Sequence, residues 1–279
     1  MFTSNPFSEL SASISPDIMQ WYVILMVLLV IGGTVLDMIH KKSAQYFFEN
    51  AKKAQKSAKR SVSAGEKAGL AISTVASEVL TSSEFCNTKR RLSHLLTMYG
   101  FIIFVATTAI MIFGYASADA ATPTILPTLW HIGALMLALG GYWFWFFIRV
   151  DVSAEGLPWF RFEGRGDIFI VGLISTATFA LIWSFTGAGV SVWFVLFVLS
   201  STILFSTVLW SKFAHMFFKP AAAFQKKVTR ADGSRENLPL EYDLTDPAVQ
   251  AKFPDIPEYM GKQPEYMGKG IRREPASHY

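Results

Sequence analysis

The chain has 279 residues, of which 52% are hydrophobic, 15% aromatic and only 16% charged, with a net charge of +4 and a mean hydropathy of +0.34. That composition is too apolar for a soluble domain, so much of the surface must face lipid. A single cysteine, Cys86, excludes an internal disulfide, a four-cysteine iron–sulfur cluster and a C-x-x-C-H haem attachment site.

Residues 1–18 carry Glu9 and Asp17 but no Lys or Arg. With no basic start and no small-residue cleavage site, this segment does not read as a removable signal peptide, and the first apolar stretch is expected to stay in the mature protein. That stretch, within residues 19–40, is long enough to cross a hydrocarbon core about 30 Å thick as a helix.

Residues 41–92 form a loop rich in Ala, Lys, Ser and Glu. Eleven Lys and Arg, from Lys41 and Lys42 to Lys89, Arg90 and Arg91, face four acids: Glu49, Glu66, Glu78 and Glu84. The excess predicts a cytoplasmic loop. Weak helical periodicity, interrupted at Gly65 and Gly69, predicts one or two helices here, serving as a basic connector or a docking element.

The block 93–220 holds four further apolar runs, at about residues 94–115, 129–148, 168–185 and 190–213. The turn "TGAG" joins the last two into an antiparallel hairpin. The expected fold is therefore an all-α membrane protein with five transmembrane helices, N-terminus outside and C-terminus cytoplasmic. The loop "RVDVSAEGLPWFRFEGRGD" on the cytoplasmic side mixes both charges and reads as a solvated surface. The basic residues fall where the positive-inside rule puts them, so the net charge implies the lipid bilayer and no nucleic-acid partner.

Residues 221–279 form a polar, Pro-punctuated tail that cannot bury a core alone. "PEYMGK" occurs twice in it, at 257–262 and 264–269. The duplication fits either chance or paired Tyr-Met anchors for a partner.

Of five histidines, His40, His94 and His215 lie at the cytoplasmic ends of apolar runs, His131 at the opposite end, and His278 in the tail. A b-type haem needs two axial ligands from different helices at matched depth. Depth alone admits His40, His94 and His215 equally, and interfacial histidines also end hydrophobic helices without binding anything. Gly100, beyond His94, leaves room either for a flat macrocycle or for a neighbouring helix.

"KRRLSHLLTMYGFIIFVATTAIMIFGY" and "SKFAHMFFKP" resemble the second and last transmembrane helices of the membrane cytochrome b family. That family includes the gamma subunit of respiratory nitrate reductase and the membrane subunits of heterodisulfide reductase and the quinone-interacting oxidoreductase. Within it, the chain looks most like the membrane anchor associated with dissimilatory adenylylsulfate reductase. The resemblance implies His94 and His215 as axial ligands of one b haem, quinone as membrane substrate and cytoplasmic redox enzyme subunits as partners in the bacterial cytoplasmic (inner) membrane. The chain would carry electrons while the partner, a cytoplasmic iron–sulfur flavoenzyme, does the substrate chemistry. For sulfur oxidation that chemistry would form adenylylsulfate from sulfite and AMP, releasing two electrons toward quinone. It departs from the family in lacking histidines deeper in the second and fifth helices for an outer haem.

Two other classes compete. A haem-free anchor or assembly factor would share the topology. A transporter would need ionisable residues in the central turns, which are nearly free of them, with Asp37 near an end. No P-loop, G-x-S-x-G, Rossmann or metal-ligand motif supports independent catalysis. The aromatic run "YWFWFF", residues 142–147, is a candidate quinone lining or an interfacial belt.

Overall fold

A computed structural model describes residues 2–83, 85, 87–152, 155–213, 215–235, 243 and 245–252, the side chains of residues 41, 43, 44, 46, 215 and 217 excepted. Cys86, His278 and both copies of PEYMGK lie outside the described residues. All regular structure among the described residues is helical.

Four helices are long and apolar enough to cross a membrane: Pro16–His40, Thr88–Tyr115, Ile125–Ile148 and Gly164–Phe185. They identify a multi-pass membrane protein. A short helix α1 (Pro6–Leu10) precedes α2 (Pro16–Lys41), and both have Pro in their first turn, where a missing N–H costs nothing. Helix α3 (Ser43–Lys56) and α4 (Ala64–Thr74) follow, then a π-helical turn at Val75–Leu80. Gly65 and Gly69 do not break α4. Its start is set instead by Ser63, whose hydroxyl accepts from the Glu66 N–H at 3.2 Å.

Asn87 caps α5 (Thr88–Tyr115) through bonds from Lys89 and Arg90 N–H. Helix α6 (Ile125–Trp143) continues into a π turn at Phe144–Ile148, and α7 (Gly164–Phe185) runs back. Glycine contacts fix the α5–α6 pair. A Cβ on Gly100 would sit 2.6 Å from the Leu137 backbone nitrogen, and one on Gly140 would sit 2.8 Å from the Ser93 carbonyl. The Ser93 hydroxyl donates to the Gly140 carbonyl at 2.9 Å across this seam. Helix α6, not a macrocycle, therefore occupies the space that Gly100 leaves.

The fifth apolar run is divided. Helix α8 (Val192–Ser206) has 15 residues and ends in a 3-10 turn at Val208–Trp210, after which Ser211 is extended. Fifteen residues at 1.5 Å each span about 22 Å, short of a full crossing. The Ser200, Ser201, Thr202 and Thr207 hydroxyls donate to carbonyls three or four residues back, a pattern that weakens and bends helices slightly. The amphipathic α9 (His215–Ala231) then runs through Pro220 into what the sequence marks as tail, and α10 (Pro247–Lys252) is the last described helix.

The two ends of the bundle differ. At one, the N-terminal segment plugs the helix ends: the Asn5 amide donates to Tyr115 O at 2.8 Å, and the Phe7 ring packs against Trp130 and Trp183. At the other, α3, α4 and α9 form a basic layer. Lys59 and Arg60 N–H donate to the Asp232 carbonyl, and Lys227 reaches Ser77 Oγ at 2.7 Å and Glu78 at 3.7 Å.

Candidate haem and docking site at the basic end

His94 sits in the second turn of α5, half-buried. Its Nδ1 lies 3.1 Å from Ser82 Oγ and its ring 4.9 Å from the Phe85 ring. The segment that carries Ser82 and Phe85 is tied back onto α5 by further bonds. Arg91 Nε donates to Thr81 O and Tyr99 OH to Leu80 O, both at 2.7 Å. Ser82 itself adopts a left-handed φ of 48° and is 1% exposed. A non-glycine residue held there needs such surrounding bonds to persist.

Phe85 also receives two cations over its face, Arg90 at 5.6 Å and Lys219 at 5.2 Å. Lys219 lies one helical turn beyond His215, the first residue of α9. The fold thus brings the start of α9 to the ring that covers His94. The side chain of His215 lies outside the described residues. An imidazole held at Nδ1 by a hydroxyl is in the orienting arrangement that ligating histidines use, so the chemistry of His94 fits axial ligation.

The other histidines divide. His40 is exposed at the end of α2. His131 is fully buried: its Nδ1 lies 2.7 Å from Pro127 O and its Nε2 2.8 Å from Ser184 Oγ. Because a carbonyl only accepts, these distances assign the proton to Nδ1, and Nε2 accepts from the serine. The ring stacks on Phe185 at 5.5 Å and meets Phe2 and Trp130 edge-on. With both nitrogens bonded to protein, His131 is a satisfied core residue at the plugged end, not an interfacial one.

The loop between α6 and α7 is organised by a buried ion pair. The Arg149 side chain is fully buried and that of Asp167 is 6% exposed. All five guanidinium donors are used: Nε and Nη2 reach the Asp167 carboxylate, Nη1 the Leu157 and Pro158 carbonyls, and Nη2 also the Arg161 carbonyl. Asp167 in turn accepts from the Glu163 N–H at 2.7 Å. The guanidinium lies 4.3 Å over the Trp145 ring, whose Nε1 donates to Trp159 O. Part of the expected solvated charged surface is therefore a closed internal staple, and Trp145 in the aromatic run serves it.

The outer surface of the basic layer exposes Lys52, Lys53, Lys56, Lys59 and Lys67 on α3, α4 and their connection, with Lys226 and Arg230 on α9. Arg60 is bound bidentately by Glu66 and also donates to Ala231 O. Its guanidinium holds the Glu66 carboxyl below its ordinary range. Among the described residues, no group of three or more His, Cys, Asp or Glu side chains converges on a metal position. No protein-family model, no curated protein and no solved structure matches the chain.

Proposed function

We propose that the chain is a five-crossing membrane anchor and electron-transfer subunit of the bacterial cytoplasmic membrane, with its basic end in the cytoplasm. It holds a soluble iron–sulfur flavoenzyme of the adenylylsulfate reductase type there and links it to quinone. The observation that carries this reading is the gathering of exposed cations on α3, α4 and α9 at the same end of the bundle as His94. Such a field recruits an acidic soluble partner and sets its orientation. The resemblance of the α5 and 211–220 stretches supports a redox role.

In this reading His94 and His215 hold a b-type haem, which supplies one-electron chemistry when bound. Ser82 fixes the His94 ring through Nδ1, and Phe85 shields one side of it. Arg90, ion-paired with Glu155 at 3.6 Å, and Lys219 lie over the Phe85 ring beside the site. The test is a reduced-minus-oxidised visible spectrum and a pyridine haemochrome count on the purified chain, with His94→Ala and His215→Ala. The expected result is a single b haem lost in both variants; well-folded protein without haem overturns the ligand assignment.

A second reading, a haem-free docking anchor, is favoured by one observation: the His94 ring already has Ser82 and Phe85 against it. It shares the basic layer with the first reading. Co-sedimentation of the soluble enzyme with vesicles containing the haem-free chain, weakening with salt, would be its signature.

A further inference from the structure

The division of the fifth apolar run opens a space at the basic end that neither reading uses. Where α8 stops and the 3-10 turn begins, a cavity of about 350 Å³ is lined by His40, Arg165, Leu209 and Trp210. Three elements make it. His40 ends the α2 span, Arg165 is the second residue of α7, and Leu209 and Trp210 belong to the turn. All three lie at the ends of apolar segments.

The α2 side follows from its spacing. Gly33, Asp37 and His40 lie on one stripe at intervals of four and three. A Cβ on Gly33 would meet Val208 at 2.8 Å, so this stripe faces the turn. Asp37, one turn deeper, is buried and itself engaged within the protein. His40 is the last residue of the stripe, and it lines the cavity with Leu209 and Trp210 of the turn.

We infer that this cavity binds the phosphate headgroup of an anionic phospholipid. Arg165 is exposed, and neither it nor His40 has a hydrogen-bond or ion-pair partner among the described residues. The nearby acid, Glu163, lies 3.6 Å from Arg161. The guanidinium fork suits two phosphate oxygens, and an imidazole N–H adds a third donor. Trp210, 57% exposed, stands at the rim as an interfacial residue does.

The apolar side of the site selects a lipid over a soluble anion. Beside His40 an exposed apolar strip of α2 runs through Ile39, Leu36, Val35 and Ile31, and Leu209 lines the cavity. A headgroup held by Arg165 and His40 can lay its acyl chain along that strip. Basic pockets between spanning helices at the membrane surface recognise headgroups in this way. The occupant would fill the notch left by the short α8 and tie α2 to α7.

The experiment measures thermal unfolding and native mass spectra of the full chain in neutral detergent. It is titrated with phosphatidylglycerol, with phosphatidylcholine of the same chains, and with inorganic phosphate. Arg165→Gln, Arg165→Lys and His40→Gln are compared with Arg161→Gln, an exposed arginine outside the cavity. Phosphatidylglycerol is expected to raise Tm and remain bound. Its apparent affinity should fall about tenfold in Arg165→Gln, the equivalent of one charge-assisted hydrogen bond. The loss should be smaller in Arg165→Lys and absent in Arg161→Gln. Equal stabilisation by phosphatidylcholine, saturation by inorganic phosphate alone, or an unchanged Arg165→Gln titration overturns the proposal.

Discussion

At the scale of single residues, the strongest local arrangement is Arg149 with Asp167. Both side chains are buried, and every guanidinium N–H has an acceptor. Arg149→Leu leaves a buried carboxylate without its cation and frees three loop carbonyls. It should lower stability by about 3–5 kcal/mol, read by thermal unfolding in detergent. The double variant Arg149→Leu, Asp167→Leu should recover only part of this, since the Leu157, Pro158 and Arg161 carbonyls still lose their donor. Full recovery would show that the charge pair alone matters. His131 gives a contrasting case. His131→Phe keeps the stack on Phe185 but strands the Ser184 hydroxyl, so a loss of about 1–3 kcal/mol in thermal unfolding is expected. Neither arrangement is legible in the sequence. Arg149 and Asp167 are separated by a loop of mixed charge, and nothing in the pattern distinguishes the one acid that faces inward from Asp151, Glu155 and Glu163. His94 is singled out by its depth together with the resemblance of its stretch, since depth alone does not separate it from His40 and His215. Its Ser82 and Phe85 partners cannot be, because they depend on a left-handed turn at Ser82.

At the scale of elements, the glycines sort the helix contacts. Gly100→Val and Gly140→Val would drive side chains into the backbone of the facing helix, at 2.6 and 2.8 Å, and should unfold the α5–α6 pair or cost several times the usual one to three kcal/mol of overpacking. Gly32→Ala and Gly114→Ala meet nothing within 4 Å and should stabilise by about 0.5–1 kcal/mol. Equal thermal shifts for the two pairs would refute the packing assignment. The basic layer has its own pH response. Arg60 holds the Glu66 carboxyl below its ordinary range, so the contact contributes above the unfolded carboxylate pKa and is lost as pH falls through the lowered folded value. Amide protection at the start of α4, taken relative to the intrinsic exchange rate at each pH, should fall in acid for that reason. Helix existence was legible here because a run of apolar residues long enough to cross lipid has few other options. The ends were less so. The small residues of α4 tolerate Gly65 and Gly69 once Ser63 caps the helix, and α9 continues past Pro220 while it packs against α3 and α4. The break after Ser206 was hidden because "STILFSTVLW" is apolar overall, while its hydroxyls, which hydropathy does not weigh as backbone partners, bond back to carbonyls of the last turn.

At the scale of the whole molecule, the open choice is whether α8 completes a crossing, and two independent features bear on it. Helix α8 with its 3-10 turn reaches about 28 Å at ordinary rises, close to the hydrocarbon thickness, although the helix alone does not. The charge distribution needs the crossing, because without it the 41–92 loop and the α9 cations would lie on opposite sides, while Lys227 bonds directly to Ser77. That bond joins the two segments at one face. Single cysteines at Ser61, Ser117, Thr186 and Lys226, placed in a Cys86→Ser background, report the sides through a membrane-impermeant maleimide. Ser117→Cys and Thr186→Cys should label in intact cells; Ser61→Cys and Lys226→Cys should label only after permeabilisation. Labelling of Thr186→Cys and Lys226→Cys together from one side would mean that α8 turns back within the membrane. The basic layer would then have to be built without α9, and the docking surface would shrink to α3 and α4. The predicted pattern instead keeps His94, the cavity at Arg165 and the cations of all three helices on one face, as the proposed docking and lipid sites both require.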